Sequence, residues 1–475
     1  MKEVLNATTN AYWININMNI TRLTLNNYRC FKQLNIDFHP QLTVLVANNG
    51  GGKTSILDAV AVAFGEYLDM FDEALTPKDI ANKNDIRPSS IDHNISADIV
   101  SFIKINECWG IVERPLSIQD TGVYYDGYEY EKLLKQIINT KHSERDALLA
   151  QLYKVETYLG TDKEVILPVM AYYRTNRLWK KIDVNNELLD VTASRTTGYK
   201  DCFTNDGQYT LLTEWFKYWT QASFASYRAA SRRGEPSQRT EFDDYLDNIR
   251  NALTTCLEAT GWYEIDFDFI KNTIIATHKD HGTLAVSQLS DGIRTMIGLV
   301  ADIAFRATKL NGHLGTEAVL KTNGIVLIDE IDMHLHPEWQ QTVLQGFTKA
   351  FPLIQFIVTT HSPQVLSTVR KENIRVIEAI GEIDDGIYKA NMPEFSPLAH
   401  RSNDALARIM GVSPAPPWEL TEARQQFEWY VRNNQEDTDE ARETLQKLNE
   451  AGYKFIDSDL SSWRFIANRK KLKGV

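Results

Sequence analysis

A short apolar run that stops abruptly in glycine constrains this chain most. Leu42-Thr43-Val44-Leu45-Val46 reads as a buried strand, being short, apolar and rich in β-branched residues. It is followed by Ala47-Asn48-Asn49-Gly50-Gly51-Gly52, then Lys53 and Thr54, and from Ser55 to about Tyr67 the apolar residues fall at helical spacing. Strand, glycine loop and helix in that order commit the chain to a sheet covered by helices. The glycines let successive N–H groups curl around an anion, and the helix N-terminus points its positive end at the same spot. Asn48, Asn49, Gly50, Gly51, Gly52, Lys53, Thr54 and Ser55 are therefore the expected phosphate contacts. Lys53 is expected at the β and γ phosphates of a nucleotide, and the Thr54 hydroxyl on Mg²⁺. One position departs from G-x-x-x-x-G-K-[ST]: Ala47 stands where the first glycine belongs. Alanine fits there if φ is negative, so binding should be weakened at most.

A second strand carries the complementary chemistry. Ile325-Val326-Leu327-Ile328 is apolar and ends in Asp329-Glu330. A buried strand delivers both acids at its C-terminal end, where ligands sit in such sheets. Asp329 is expected to hold Mg²⁺ through water, and Glu330 to take a proton from the attacking water. A third strand, Phe356-Ile357-Val358-Thr359-Thr360, leads into His361-Ser362-Pro363.

Between these motifs lies a long stretch that is read as a mainly helical insertion. The expected division is 1–19 as an N-terminal extension, 20–120 and 281–396 as two parts of one α/β head, 121–280 as the insertion with some strands, and 397–475 as a C-terminal helical region. Tyr128 to Leu159 looks like a charged helix. Arg228 to Arg239, with Gly234 and Pro236, reads as an exposed basic loop. A length of 475 residues fits such a multi-part chain, and 43% hydrophobic with 24% charged residues is ordinary for a globular protein. No apolar run reaches the roughly 20 residues that span a bilayer, and no signal-peptide pattern opens the chain, so a cytoplasmic protein without a membrane partner is expected. The four cysteines are too dispersed for a zinc site. A net charge of −12 argues against nucleic-acid binding by the whole surface.

The combination resembles the ABC/SMC ATPases, and the fold it implies is a head split by an insertion. Leu289-Ser290-Asp291-Gly292-Ile293-Arg294 resembles their L-S-G-G-Q signature in its Asp variant. The resemblance implies that Ser290 and Gly292 complete the nucleotide site of an opposite subunit, and that His361 is the switch histidine at the γ-phosphate. Catalysis would then fall to Lys53, Glu330 and His361, with ATP and Mg²⁺ as ligands and Thr54 and Asp329 on the metal. In Asp329-Glu-Ile-Asp-Met-His-Leu-His-Pro-Glu-Trp-Gln, His336 stands where a dimer-contacting aspartate usually lies, and His334 and His336 lack the further ligands a metal would need. Arg29 matches an N-terminal arginine of SMC-like heads, with a plain surface charge as the alternative. The Q-loop glutamine is not identifiable, Tyr172 to Arg177 being the candidate region. The short insertion and the helical tail look like stand-alone prokaryotic defence ATPases of the PtuA type in Septu anti-phage systems. That resemblance implies head-to-head self-assembly and a PtuB-type HNH nuclease partner, this chain having no HNH pattern of its own. The tail, with Trp418, Trp429 and Trp463, is a candidate surface for that partner. Arg228, Arg232, Arg233 and Arg239, and the closing Arg469-Lys470-Lys471-Lys473, are candidate contacts to nucleic acid. The alternative is a RecF-like repair ATPase that clamps DNA without a nuclease.

Overall fold

The computed structural model describes residues 14–15, 18–68, 96–105, 108–117, 165–175, 194–203, 208–236, 239–381, 385–412, 419–453, 455 and 457–473. The expected helix at Tyr128–Leu159 lies outside them, as does Trp418. The chain divides into two compact units, Met1–Ala405 and Leu406–Val475. The second therefore begins later than the 397–475 region expected.

The core of the first unit is a six-stranded sheet. In chain order its strands are β4 (Leu42–Val46), β8 (Val169–Tyr173), β12 (Gly324–Ile328), β13 (Ile354–Thr359), β14 (Ile374–Ala379) and β15 (Tyr388–Asn391). Their order in space is β15-β14-β4-β13-β12-β8, parallel throughout except for β15. Every residue of β4, β8, β12 and β13 is buried, as befits strands covered on both faces. Gly324 opens β12 at φ +146°, and a Cβ there would lie 2.0 Å from the Val169 carbonyl oxygen, so only glycine lets β8 and β12 start side by side. β8 belongs to this sheet, although 121–280 was expected to be an insertion. The apolar run Val169–Tyr173 is too short to declare its neighbours, and pairing with β12 decides them.

A second, antiparallel sheet of order β3-β2-β5-β6 contains β2 (Met18–Tyr28), β3 (Phe31–Asp37), β5 (Ser96–Ile105) and β6 (Cys108–Ser117). Helix α1 (Lys53–Ala63) lies between the two sheets, against β13 on one side and β5 and β6 on the other. That position explains why its residues from Ile56 to Ala63 are all buried rather than amphipathic. The buried Gln355 amide ties the sheets: it accepts from the Ile20 N–H at 2.9 Å and donates to the carbonyls of Ile20 at 2.8 Å and His39 at 3.0 Å. A short parallel pair joins β1 (Ile14–Asn15) to β7 (Val165–Ile166).

Among the described residues this unit also has three longer helices, α2 (Gln208–Arg233), α3 (Glu241–Leu257) and α4 (Asp291–Leu310). Trp215 and Trp219 pack on Phe305 of α4, with Trp219 and Phe305 stacked at 5.5 Å, and Tyr245 packs on Trp219. Within α4 the buried Arg306 and Asp302 pair at 2.8 Å, and Tyr173 of β8 donates to the same carboxylate at 2.6 Å. A three-stranded sheet, β9 (Trp262–Asp268), β10 (Thr273–His278) and β11 (Gly282–Ala285), leads directly into α4. Arg228 to Arg233 form the last turns of α2, not the start of a loop. The turn begins at Gly234, φ +67°, because the preceding residues carry no helix breaker. Between Pro337 and Ala350 lie two helices, Pro337–Gln340 and α5 (Val343–Ala350).

The second unit is a helical cluster of α6 (Glu419–Arg432), α7 (Asp439–Glu450) and α8 (Asp457–Lys473). Phe427, Val431, Leu448 and Trp463 make its core. Trp463 is thus structural, whereas Trp429 is 55% exposed. Thr438 caps α7 by accepting from the Ala441 N–H. No helix among the described residues is long and apolar enough to cross a membrane.

Candidate nucleotide site

The C-terminal ends of β4, β12 and β13 lie side by side, and the three motifs leave them together. The loop after β4 carries Gly50 at φ +76° and Gly52 at φ +84°. A Cβ on Gly52 would lie 2.2 Å from the Phe31 ring and 2.7 Å from Cys30 Sγ, so the turn between β2 and β3 backs the loop directly. Ala47 has no positive φ, which meets the condition under which alanine fits. Its methyl does impose a cost elsewhere, since a Cβ on Gly51 would meet Ala47 Cβ at 2.7 Å. Glycine at 51 is therefore a steric requirement of alanine at 47.

Lys53 folds back over this loop, its Nζ donating to the carbonyls of Ala47 at 3.0 Å and Asn48 at 3.4 Å. Burial lowers its pKa, and the carboxylates of Asp329, Glu330 and Asp332 act in the opposite direction. An ammonium with its own loop carbonyls for partners is placed to exchange them for phosphate oxygens.

Asp329 ends β12 and is 2% exposed. Its carboxylate accepts from Thr54 Oγ1 at 2.8 Å and Thr359 Oγ1 at 2.6 Å, and its N–H donates to the Tyr173 carbonyl at 2.8 Å. Asp329 and Thr54 are thus brought together across 275 residues. A buried carboxylate beside a hydroxyl at the cavity wall is a donor set that suits a hard divalent cation such as Mg²⁺. Glu330 takes the left-handed conformation, φ +49°, which is uncommon for a side chain larger than asparagine. Its N–H donates to Thr359 Oγ1 at 2.7 Å. One buried hydroxyl therefore serves both acids. In the loop after Glu330, Asp332 accepts from two residues just past the end of β13, Thr360 Oγ1 at 2.5 Å and the His361 N–H at 3.3 Å.

These groups surround a cavity of about 370 Å³ lined by Arg29, Cys30, Asn49 to Ser55, Asp329, Glu330 and His361. Asn48 is not on its wall. It supplies its carbonyl to Lys53 and to the Gly51 N–H, so its part in the loop is internal. Arg29 is a cavity residue, not a plain surface charge. Its guanidinium pairs with Asp58 of α1, which Arg174 also meets at 2.7 Å. Asp58 is 1% exposed and anchors both arginines at the mouth of the phosphate loop. Asp58, Arg174 and Thr359 were not singled out from sequence. The one available signal was an aspartate amid the apolar residues Ile56 to Val62 of a helix.

Ser290 and Gly292 are not on the wall of this cavity. Ser290 is exposed and precedes α4 without making a side-chain capping bond, while Gly292 is buried under the loop after Glu330. His334 and His336 are both exposed, and His336 caps the helix at Pro337 by accepting from the Glu338 N–H. Arg233 pairs with Glu235 at 2.8 Å, and Arg239 with Asp244 at 2.6 Å and Asp247 at 2.5 Å, so these two basic side chains are engaged by local acids.

A parallel sheet whose strand ends gather a phosphate loop, an aspartate–threonine pair, a glutamate and a histidine defines a nucleoside triphosphatase. Residues 18–366 match the family model of the AAA ATPase domain, and the chain belongs to that family. The retron Vc95 probable ATPase of Vibrio cholerae serotype O1 biovar El Tor is 27% identical over 475 residues, covering 91% of this chain and 88% of the relative. The Septu protein PtuA of Bacillus thuringiensis is 30% identical over 228 residues, 44% of this chain and 54% of the relative. The SMC head domain from Thermotoga maritima superposes over 79% of this chain and all of that one, with a TM-score of 0.38 and 16% identity.

Proposed function

We propose that this chain is a defence ATPase that works as a head-to-head pair, each copy supplying Ser290 and Gly292 to the nucleotide held by the other. The observation that carries this reading is the separation of the two halves. One cavity holds Lys53, Thr54, Asp329, Glu330 and His361, while Ser290 stands exposed at the N-terminus of a 20-residue helix and outside that cavity. A helix N-terminus with an uncommitted hydroxyl suits a phosphate brought from outside.

In this reading Lys53 and the N–H groups of the loop bind the β and γ phosphates, and His361 orients the γ-phosphate. Mg²⁺ held by Thr54 and Asp329 would neutralise charge developing on the phosphate oxygens. Glu330 takes the proton of the attacking water, and Thr359 keeps its backbone in place. The nucleotide state of the pair then governs an HNH nuclease of the PtuB kind, in an anti-phage complex like those of the Septu and retron relatives. The alternative is a RecF-like clamp acting on DNA alone. The end of α2 favours it to the extent that Phe224 and Tyr227 are 54% and 59% exposed beside Arg228.

The test is the mass of the Glu330→Gln protein with ATP and Mg²⁺, recovered from its native cell. An even-numbered assembly carrying a small HNH protein supports the proposal. A monomer under saturating ATP would sink it, and an ATP-held pair bearing DNA but no protein partner would select the clamp.

A further inference from the structure

The loop after Glu330 is held by one side chain from two directions. Gln340 donates from Nε2 to the Leu335 carbonyl at 2.9 Å and to the Asp332 carbonyl at 3.3 Å, and its Oε1 accepts from Ser362 Oγ at 2.6 Å. Both ends of the amide are thereby used, and Ser362 is 5% exposed. Asp332, at the start of the same loop, accepts from Thr360 and from the His361 N–H. The loop 332–335 and the turn that presents His361 to the cavity are therefore laced together by Gln340 and Asp332.

The same loop is pressed against the start of α4. A Cβ on Gly292 would lie 2.3 Å from the His334 carbonyl oxygen, so the helix approaches as closely as glycine permits. His334 holds the loop there in a left-handed conformation, φ +64°. Any displacement of this loop toward the helix must move Gly292 and, with it, the exposed Ser290 that precedes the helix. A contiguous path of hydrogen bonds and backbone contact thus runs from His361 at a chain's own cavity, through Asp332 and Gln340, to the phosphate-binding face that the chain offers elsewhere.

We infer that Gln340 is a positioning residue that couples occupancy of a chain's own cavity to the placement of Ser290 and Gly292 at the opposite cavity. This rests on the paired-head reading above. It assigns Gln340 no contact with nucleotide. Its action is on hydrolysis in the other copy, because the loop it fixes abuts the helix that serves the other copy.

Mixed pairs separate this from a merely local role. A Glu330→Gln chain mixed with wild type leaves one hydrolysing cavity, which the Glu330→Gln chain completes while its own cavity holds ATP. Adding Gln340→Leu to the Glu330→Gln chain alters only the copy whose own cavity is occupied but does not hydrolyse. The expected result is a fall of about tenfold in ATP turnover at the intact wild-type cavity, a typical size for coupling between sites. The isolated Gln340→Leu protein should keep its nucleotide affinity, while its urea midpoint falls with the loss of the three amide hydrogen bonds. A second measurement covers the case in which such mixed pairs do not turn over: the Hill coefficient for ATP should exceed one in the wild type and fall to one in the Gln340→Leu homodimer. Unchanged turnover in the mixed pair, or an unchanged Hill coefficient, overturns the coupling while leaving the paired-head reading intact. Absence of any ATP-driven pair, including with Glu330→Gln, overturns both.

Discussion

Replacing Thr359 by valine should separate binding from hydrolysis. The side chain is fully buried, and valine keeps its shape while removing the one hydroxyl shared by the two acids. Two bonds are lost: Oγ1 to the Asp329 carboxylate at 2.6 Å and the Glu330 N–H to Oγ1 at 2.7 Å. The first is to a charged group and is worth about 1.5–3 kcal/mol, and the second leaves a backbone donor unsatisfied at about 1–3 kcal/mol. Because the two share one atom they do not add fully, and a net destabilisation of about 3 kcal/mol is expected. Urea unfolding should show it as a lower midpoint with an unchanged slope. The catalytic effect follows from Glu330, whose left-handed backbone is held by the same hydroxyl. Freed from it, the carboxylate should lose its aim at the water, and turnover should fall about 100-fold, as for a misplacement near 1 Å. Lys53 and the glycine loop do not touch Thr359, so ATP affinity should stay within about threefold, and Thr359→Ser should restore turnover. Equal losses in binding and turnover would mean that the site collapses as a whole. Stability and turnover like the wild type would refute the assignment of the hydroxyl.

Two further substitutions probe the phosphate loop and its support. Asp58→Asn leaves the Arg29 and Arg174 guanidiniums, 26% and 23% exposed, without their buried anion. Solvent screening keeps the expected cost to about 1–3 kcal/mol in urea unfolding. ATP affinity should fall as well, because the Arg29–Phe31 turn backs Gly52, and an Asp58→Asn protein as stable as wild type would remove Asp58 as the anchor. Burial lowers the Lys53 pKa, so the empty folded chain binds fewer protons than the unfolded one between that lowered value and 10.5. Stability without nucleotide should accordingly rise with pH through this window. Phosphate prefers the ammonium, so ATP affinity should weaken as pH rises through the lowered value, with proton uptake on binding measurable by calorimetry in buffers of different ionisation heat. Lys53→Ala should bind no nucleotide at any pH, and residual binding would move the phosphate contact elsewhere.

How much was legible in sequence depends on how local the chemistry is. The loop from Ala47 to Thr54 carries its meaning in consecutive residues, since backbone N–H groups that cradle one phosphate must be neighbours in the chain. Asp329-Glu330 and His361 stood out because the acids follow the apolar run Ile325–Ile328 and the histidine follows the β-branched-rich run Phe356–Thr360, both of which read as strands. The order of the motifs along the chain and the fold class follow from the same strands and helices.

Strand neighbours, by contrast, are long-range. Val169–Tyr173 reads alike as a strand in an insertion or in the main sheet, and its pairing with Gly324–Ile328 settles the choice. Arg228–Arg239 looked like loop from its polarity and from Gly234 and Pro236, but polarity says nothing against helix in an exposed segment, and the helix runs on to Arg233. Asp58 and Thr359 are ordinary residues in an apolar helix and strand until folding brings Arg29, Arg174, Asp329 and Glu330 to them. Gln340 gains its partners from Asp332, Leu335 and Ser362 only once two loops from different strands lie together. The sequence by itself determined which groups the cavity gathers, the glycine loop, the paired acids and the histidine, because those stand out by residue type and adjacency. Tertiary structure decided what holds those groups at the right distance, because each anchor is a buried polar atom whose partner is tens or hundreds of residues away.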